Sequence, residues 1–247
     1  METSTSAPQR LYLMQVATMI RGPLRLPDPC YLIQTGDGKN ILIDSGFSPN
    51  FRLVPNSPTT APGLKRVEQK SVVEQLTTIG VKPSDINIVI ITHFDEDHAG
   101  NLAAFPNAQL IAQRRQYEVA RAGDPRFAST RSQWDRPLSR YQLVDGDTQL
   151  LPGLKLIETS GHCLGHQSVL VHLPQTGLVL LTADAVTVQA HFTPHQPVGP
   201  TDADGAGAIA STCKLLALVE REHVSLVIFG HDEAQWATLK CLPDFYD

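Results

Sequence analysis

The sequence predicts an α/β protein in which two β-sheets pack face to face with helices outside, a four-layer αβ/βα sandwich. Three observations predict it. Strand-like runs open the chain, a helical stretch follows, and the same order returns in the second half. Several apolar, β-branched runs have the length of buried strands and end beside a histidine or an aspartate. No linker, low-complexity tract or close internal repeat divides the 247 residues, which are enough for one sizeable core. Residues 11–247 are therefore expected to form a single domain behind a polar, flexible lead-in over residues 1–10.

The elements follow in order. Residues 11–16 and 30–35 read as strands; Gly36-Asp37-Gly38 and the run over 40–44 then predict a hairpin. Residues 47–65, rich in Pro, Asn, Ser and Thr, read as a long surface loop. Val72, Val73, Leu76 and Ile79 give residues 67–79 helical spacing, with Gly80 and Pro83 as stop signals. Residues 86–91 form the next strand. A helical turn over 101–105, a strand over 109–112 and a helix over 113–122 come after it. Residues 123–140 carry many charges with Phe127 and Trp134 but no clear period, and read either as a substrate-facing excursion or as a solvated insertion. Strands are expected over 154–158, 168–172, 178–182 and 224–229, a loop over 187–205 and a helix over 208–222.

Bulk properties narrow the partners. Charged residues are 18% of the chain, the formal net charge is -5 and no basic stripe appears, which argues against nucleic acid. No apolar run approaches the roughly 20 residues that span a bilayer, so no membrane partner is expected. The polar N-terminus lacks an apolar signal core, and Cys30, Cys163, Cys213 and Cys241 form no Cys-x-x-Cys pair. Both point to the reducing cytoplasm. Cys163 reads as a small packing residue beside His162, with a soft metal ligand as the alternative.

The chemistry concentrates in residues 92–101, Thr-His-Phe-Asp-Glu-Asp-His-Ala-Gly-Asn. His93, Asp95, Asp97 and His98 fall within six positions on a loop that follows a buried strand, and imidazole with carboxylate binds zinc, iron, manganese or cobalt. His162 and His166 lie in Ser-Gly-His-Cys-Leu-Gly-His-Gln, where the glycines permit a tight backbone near a cation. His162 reads as the ligand; His166 reads as a group that supports a ligand or touches substrate, or as a structural histidine. Asp184 ends an apolar run, where a buried carboxylate is costly unless paired; alone it also fits a helix N-cap. His231 closes the last strand, with Gly230 giving it room. Together the seven suggest a two-metal hydrolytic centre.

This ordered set resembles the metallo-β-lactamase superfamily, and more narrowly its N-acyl homoserine lactone lactonases, the quorum-quenching enzymes. The resemblance spans Pro29-Cys30-Tyr31-Leu32, Ile41-Leu-Ile-Asp-Ser-Gly46, residues 92–101, residues 160–167, Asp184 and Phe229-Gly-His-Asp232. It implies one metal on His93, the residue at 95 and His162, a second on Asp97, His98 and His231, and Asp184 with a water or hydroxide bridging them. The implied reaction is opening of the lactone ring by that hydroxide, with Asp97 relaying a proton and two divalent ions as cofactors, zinc foremost and iron, manganese or cobalt as alternatives. The acyl tail would lie in a groove built from loops 47–65, 123–140 and 187–205. The resemblance also implies a homodimer. Two departures stand out: the family usually has histidine where this chain has Asp95, and a tyrosine that assists the substrate carbonyl where it has Thr187. Thr187 is thus a candidate catalytic position along with Asp97 and His166. The same departures keep open another ester class, whether phosphotriester, phosphodiester or thioester, or a non-catalytic metal-binding member of the fold.

Overall fold

The computed structural model describes residues 5–54 and 63–247. Strand β1 (Pro8–Arg21) runs antiparallel to β2 (Leu24–Thr35), and β2 turns through Gly36-Asp37-Gly38 into β3 (Asn40–Ile43), as the hairpin pattern predicts. Next come β4 (Leu64–Gln69), α1 (Val72–Thr78), β5 (Ile86–Ile90) and the single-turn helix α2 (Glu96–Ala99). These are followed by β6 (Gln109–Gln113), α3 (Arg114–Arg121), α4 (Arg131–Trp134), β7 (Tyr141–Val144) and β8 (Thr148–Leu151). The chain finishes with β9 (Leu154–Glu158), β10 (Gln167–Leu173), β11 (Gly177–Leu181), α5 (Gly205–Glu222), β12 (Leu226–Ile228) and α6 (Glu233–Trp236).

The strands form two sheets, in the orders β4-β1-β2-β3-β5-β6-β7 and β12-β11-β10-β9-β8. Period-two alternation sorts their side chains into layers. Leu11, Leu13, Ile41, Ile43 and Ile90 of the first sheet meet Leu154, Leu156, Val169, Val171, Val179 and Leu181 of the second in a core between the sheets. The alternate residues Tyr12, Met14, Leu42 and Val89 pack outward with Val72 and Leu76 of α1. Leu170 and Leu180 pack outward with Leu215 and Leu218 of α5. Both faces of each sheet are thereby covered, which is why the central strands read as nearly continuous apolar runs. The predicted αβ/βα layering is the observed one.

Several boundaries differ from expectation. The lead-in is shorter than residues 1–10, because Pro8–Arg10 already pair with β2; residues 1–4 lie outside the described residues. The predicted helix over 67–79 starts at Val72: residues 67–69 belong to β4, an edge strand whose charged side chains hide its pairing with the second half of β1. Part of the predicted loop 47–65, residues 55–62, lies outside the described residues. β7 and β8, four residues each, carry too short a pattern to be read from sequence. In the 123–140 excursion, Phe127 and Trp134 do not face substrate. Both are buried, with Trp134 stacked on Phe94 at 5.5 Å and its indole N–H donating to the Phe127 carbonyl at 2.9 Å. These anchors fix the path of the segment and aim Arg126.

Candidate metal centre

The candidate residues sit in the segments that leave β5, β9, β11 and β12 at their C-terminal ends, along one edge of the sandwich. β3 and β5 are parallel, as are β11 and β12, so the chain reaches this edge repeatedly in the same direction. His93 follows β5; Asp95 precedes α2, which carries Asp97 and His98; His162 lies between β9 and β10; Asp184 follows β11 and His231 follows β12. Three groups of ligand atoms converge within 4.8 Å: His93, His98 and Asp184; His93, Asp95 and His162; and Asp97, His98 and His231. All seven sequence-predicted ligands therefore meet.

Each histidine is oriented through Nδ1, leaving Nε2 for the cluster. His98 Nδ1 donates to Asp44 Oδ2 at 2.8 Å, and His231 Nδ1 donates to the Pro27 carbonyl at 2.7 Å. His93 Nδ1 lies 3.0 Å from Thr92 Oγ1, and His162 Nδ1 lies 3.3 Å from Asp202 Oδ1. His231 Nε2 approaches Asp184 Oδ1 at 3.2 Å, and His98 Nε2 approaches the same oxygen at 3.4 Å. Two backbones in the left-handed region support the arrangement: Asp44 with φ 60 and Ala183 with φ 47, the latter turning Asp184 inward. A Cβ on Gly230 would lie 2.7 Å from the Ala183 carbonyl oxygen and 3.3 Å from Asp184 Oδ1, so glycine there leaves room for the site as expected. The freedom of Gly161 serves another purpose than the one expected. Its φ of 150 lets it pass the first turn of α5, where a Cβ would come within 2.2 Å of the Ala208 nitrogen.

The electrostatics call for a cation. Burial opposes protonation of His98, yet Asp97, Asp184 and Asp44 hold its pKa well above the ordinary histidine value. Burial likewise opposes His162 and His231, but bonds to Asp202 and Asp95 raise the first to about 9 and the Asp184 charge raises the second to about 9. Burial also works against ionisation of Asp184, which the charges of His231 and His98 hold well below the carboxylate range. His93, by contrast, is held neutral by burial and by the charge of His98. His93 Nε2, His98 Nε2 and Asp184 Oδ1 are buried without a hydrogen-bond partner. An unsatisfied buried polar atom costs about 1–3 kcal/mol, so three in one place would be compensated by a divalent ion held there. Imidazole nitrogens and carboxylate oxygens are a fitting donor set for such an ion.

His166 is not a substrate-contacting group. It is fully buried: its Nδ1 lies 2.8 Å from Thr159 Oγ1, and its Nε2 accepts the Asp184 backbone N–H at 3.2 Å. Burial and the charges of His93 and His162 keep its pKa well below the ordinary value, consistent with that acceptor role. The carbonyl of Thr187 accepts the His231 N–H at 2.8 Å, while its side chain is partly exposed.

Four residues of the site went unread in the sequence. Asp44, inside the quoted run over 41–46, accepts the Thr92 N–H at 2.8 Å as well as the His98 bond. Asp202 reaches His162 from the loop over 187–205. Arg126 pairs with Asp95 through Nε to Oδ1 at 2.8 Å and Nη2 to Oδ2 at 2.5 Å. Asp28 is fully buried and neither carboxylate oxygen has a partner; burial, with the charge of Asp97, holds its pKa well above the carboxylate range. Asp28, Arg126 and Asp202 had no local signal beyond residue type; Asp44 lies in a run that carries the resemblance, but its role has no local signature.

Comparison with known proteins agrees with this geometry. The model of the metallo-beta-lactamase superfamily matches residues 25–231. An N-acyl homoserine lactonase of Bacillus cereus is 34% identical over 227 residues, covering 90% of this chain and 88% of that protein. The N-acyl homoserine lactonase AiiA of Bacillus thuringiensis subsp. kurstaki is 32% identical over 234 residues, with the same coverage of 90% and 88%. A solved N-acyl homoserine lactone hydrolase, with the product N-hexanoyl-L-homoserine at its catalytic metal centre, superposes with a TM-score of 0.84 at 28% identity, covering 97% of this chain and 100% of that one. From the layered fold, the converging ligands and these relatives it follows that this chain belongs to the metallo-beta-lactamase superfamily, where it is homologous to the N-acyl homoserine lactonases.

Proposed function

We propose that this protein is a metal-dependent hydrolase that opens the lactone ring of N-acyl homoserine lactones. The observation that carries the reading is the convergence of unpartnered His93 Nε2, His98 Nε2 and Asp184 Oδ1 at one sheet edge, in a chain 34% identical to a lactonase over 90% of its length. Asp97, His98, His231 and Asp184 would hold one ion, with zinc the first choice for this nitrogen and oxygen set. His93, Asp95 and His162 would hold the second ion that the resemblance implies, and loading of that position would depend on how Asp95 is engaged. When bound, a divalent ion in such a centre supplies acidified water near neutral pH and polarises the carbonyl under attack.

The chain's own groups do the rest. Asp184 is buried and aligned by His166 and Ala183, so it holds its carboxylate rigidly between the two sets. Asp97 is the more accessible carboxylate, 17% exposed against 8% for Asp184. It takes the proton of the attacking water and returns it to the ring oxygen as the C–O bond of the lactone breaks. Thr187, partly exposed beside His231, would donate its hydroxyl to the substrate carbonyl in place of the family's tyrosine. By the same analogy we propose a homodimer, and the four free cysteines fit a cytoplasmic setting.

The test is hydrolysis of a panel of N-acyl homoserine lactones of increasing chain length by metal-loaded protein, read as acid release. Phosphotriester, phosphodiester and thioester substrates run alongside. Ring opening of the lactones at the highest kcat/KM is expected; preferential turnover of another ester class, with the lactones inert, overturns the substrate assignment.

A further inference from the structure

The guanidinium of Arg126 lies inside the first ligand set, and every one of its N–H groups is spoken for. Nε and Nη2 form the bidentate pair with Asp95. Nη1 donates to the carbonyls of His162 at 2.8 Å and Thr201 at 2.7 Å. The remaining Nη2 donor points at His162 Nε2, 2.7 Å away. Five donors thus meet five acceptors, and the side chain is 22% exposed. Two of those acceptors, Asp95 Oδ2 and His162 Nε2, are the atoms that would ligate a metal together with His93. Neutral His162 has one lone pair on Nε2, which either accepts the Arg126 N–H or binds an ion, not both; the protonated form, favoured by the bonds to Asp202 and Asp95, has none to give an ion. A guanidinium stays charged at any working pH, and its planar fork matches a carboxylate where the family's histidine would have offered none. Among the described residues the second set shows no such occupant: His98 Nε2 and Asp184 Oδ1 are left without hydrogen-bond partners, as is His93 Nε2, the one first-set group that Arg126 does not engage.

We propose that Arg126 is the resident cation of the first ligand set, so that this protein holds one tightly bound metal ion, on Asp97, His98, His231 and Asp184, rather than two. The proposal rests on the metal-dependent reading above and changes its nuclearity. Asp95 and Arg126 are then a matched pair: the carboxylate recruits the guanidinium, and the guanidinium supplies a fixed positive charge beside the metal. Because all five donors are engaged within the protein, Arg126 is a positioning residue and not a catalytic one. It holds Asp95 and His162 in place and ties the 123–140 excursion to the loop over 187–205 through Thr201.

The experiment is a cobalt(II) titration of metal-free wild-type protein, followed by its visible absorption bands, together with elemental analysis of zinc after loading and dialysis. Wild type is expected to saturate at one equivalent, with any second equivalent bound about a hundredfold or more weakly. The double variant Asp95→His with Arg126→Leu restores an all-imidazole set with no competing cation and is expected to bind two. Two tight equivalents in wild type overturn the proposal. So does one equivalent in both proteins, because the second position would then be lost for a reason other than Arg126. The wild-type titration decides on its own if the double variant fails to fold. No metal bound at all sinks the metal-dependent reading, and the proposal with it. One equivalent without lactone hydrolysis leaves the proposal standing and overturns the substrate assignment alone.

Discussion

Replacing Asp44 by asparagine disturbs the site without touching any ligand. Asp44 is buried at 1% exposure with φ 60, a conformation that asparagine tolerates well, so the backbone is preserved. Its Oδ1 accepts the Thr92 N–H at 2.8 Å, and its Oδ2 accepts both the Thr92 hydroxyl and His98 Nδ1, each at 2.8 Å. The amide of asparagine can satisfy one side only. With its NH2 toward His98, the imidazole must accept at Nδ1 and carry its proton on Nε2, where it blocks the lone pair aimed at the metal. With its NH2 toward Thr92, two donors face each other in a buried site, at a cost of about 1–3 kcal/mol. Either outcome falls in the range of about 10–100-fold lost metal affinity that is typical of removing a ligand's hydrogen-bond partner, or about 1.4–2.7 kcal/mol at 1.36 kcal/mol per decade. The assay is competition for zinc against a chromophoric chelator, with thermal unfolding of the metal-free proteins run alongside to confirm that the fold is kept. Asp44→Asn protein that holds zinc within twofold of wild type would refute the role assigned to Asp44 in setting the His98 tautomer.

Three further outcomes are expected. Asp28 has its pKa raised by burial; the unfolded chain ionises near about 3.9 while the folded protein keeps its proton, so this group's contribution to stability falls as pH rises above that value. In metal-free protein, urea unfolding at pH 5 and pH 7 should therefore show Asp28→Asn gaining on wild type by up to about 1.4 kcal/mol per pH unit, and parallel pH profiles would remove the argument. His166→Ala leaves the buried Asp184 N–H without its acceptor, so metal-free stability should fall by at least about 1–3 kcal/mol, and an unchanged midpoint would show that His166 is not holding Asp184. Thr187→Val removes the hydroxyl while keeping the shape; a drop of about 10²-fold in kcat on lactone with little change in zinc affinity is expected, and unaltered kcat would take Thr187 out of the reaction.

The site was legible in the sequence where its residues sit at the ends of strong strand patterns. His93 after residues 86–90, Asp184 after 177–181 and His231 after 226–228 each follow an apolar run that had to be buried, and a costly polar group at the end of such a run demands a partner. The layering was legible for the same reason, since the central strands are covered on both faces. What stayed hidden depends on tertiary approach. Asp44 and Asp202 reach their histidines over 54 and 40 residues of chain, and Arg126 reaches Asp95 over 31. An arginine in a charged, aperiodic stretch gives no sign that two buried aromatics hold its neighbours and turn it inward. β4 does not read as one strand, its first residues falling in the expected loop over 47–65 and residues 67–69 in the expected helix over 67–79, because an edge strand need not alternate cleanly: its lysine, arginine and glutamate side chains are solvated, and its definition comes from hydrogen bonds to β1.

Stepwise return of zinc to chelator-stripped protein, with lactone ring opening followed at each step, tests most directly whether the clustered histidines and aspartates form a hydrolytic metal centre. Stripped protein should be inactive, and activity should climb in proportion to zinc until the ligand set is filled. Full turnover by protein shown to be free of metal, or none at any loading, would contradict the account.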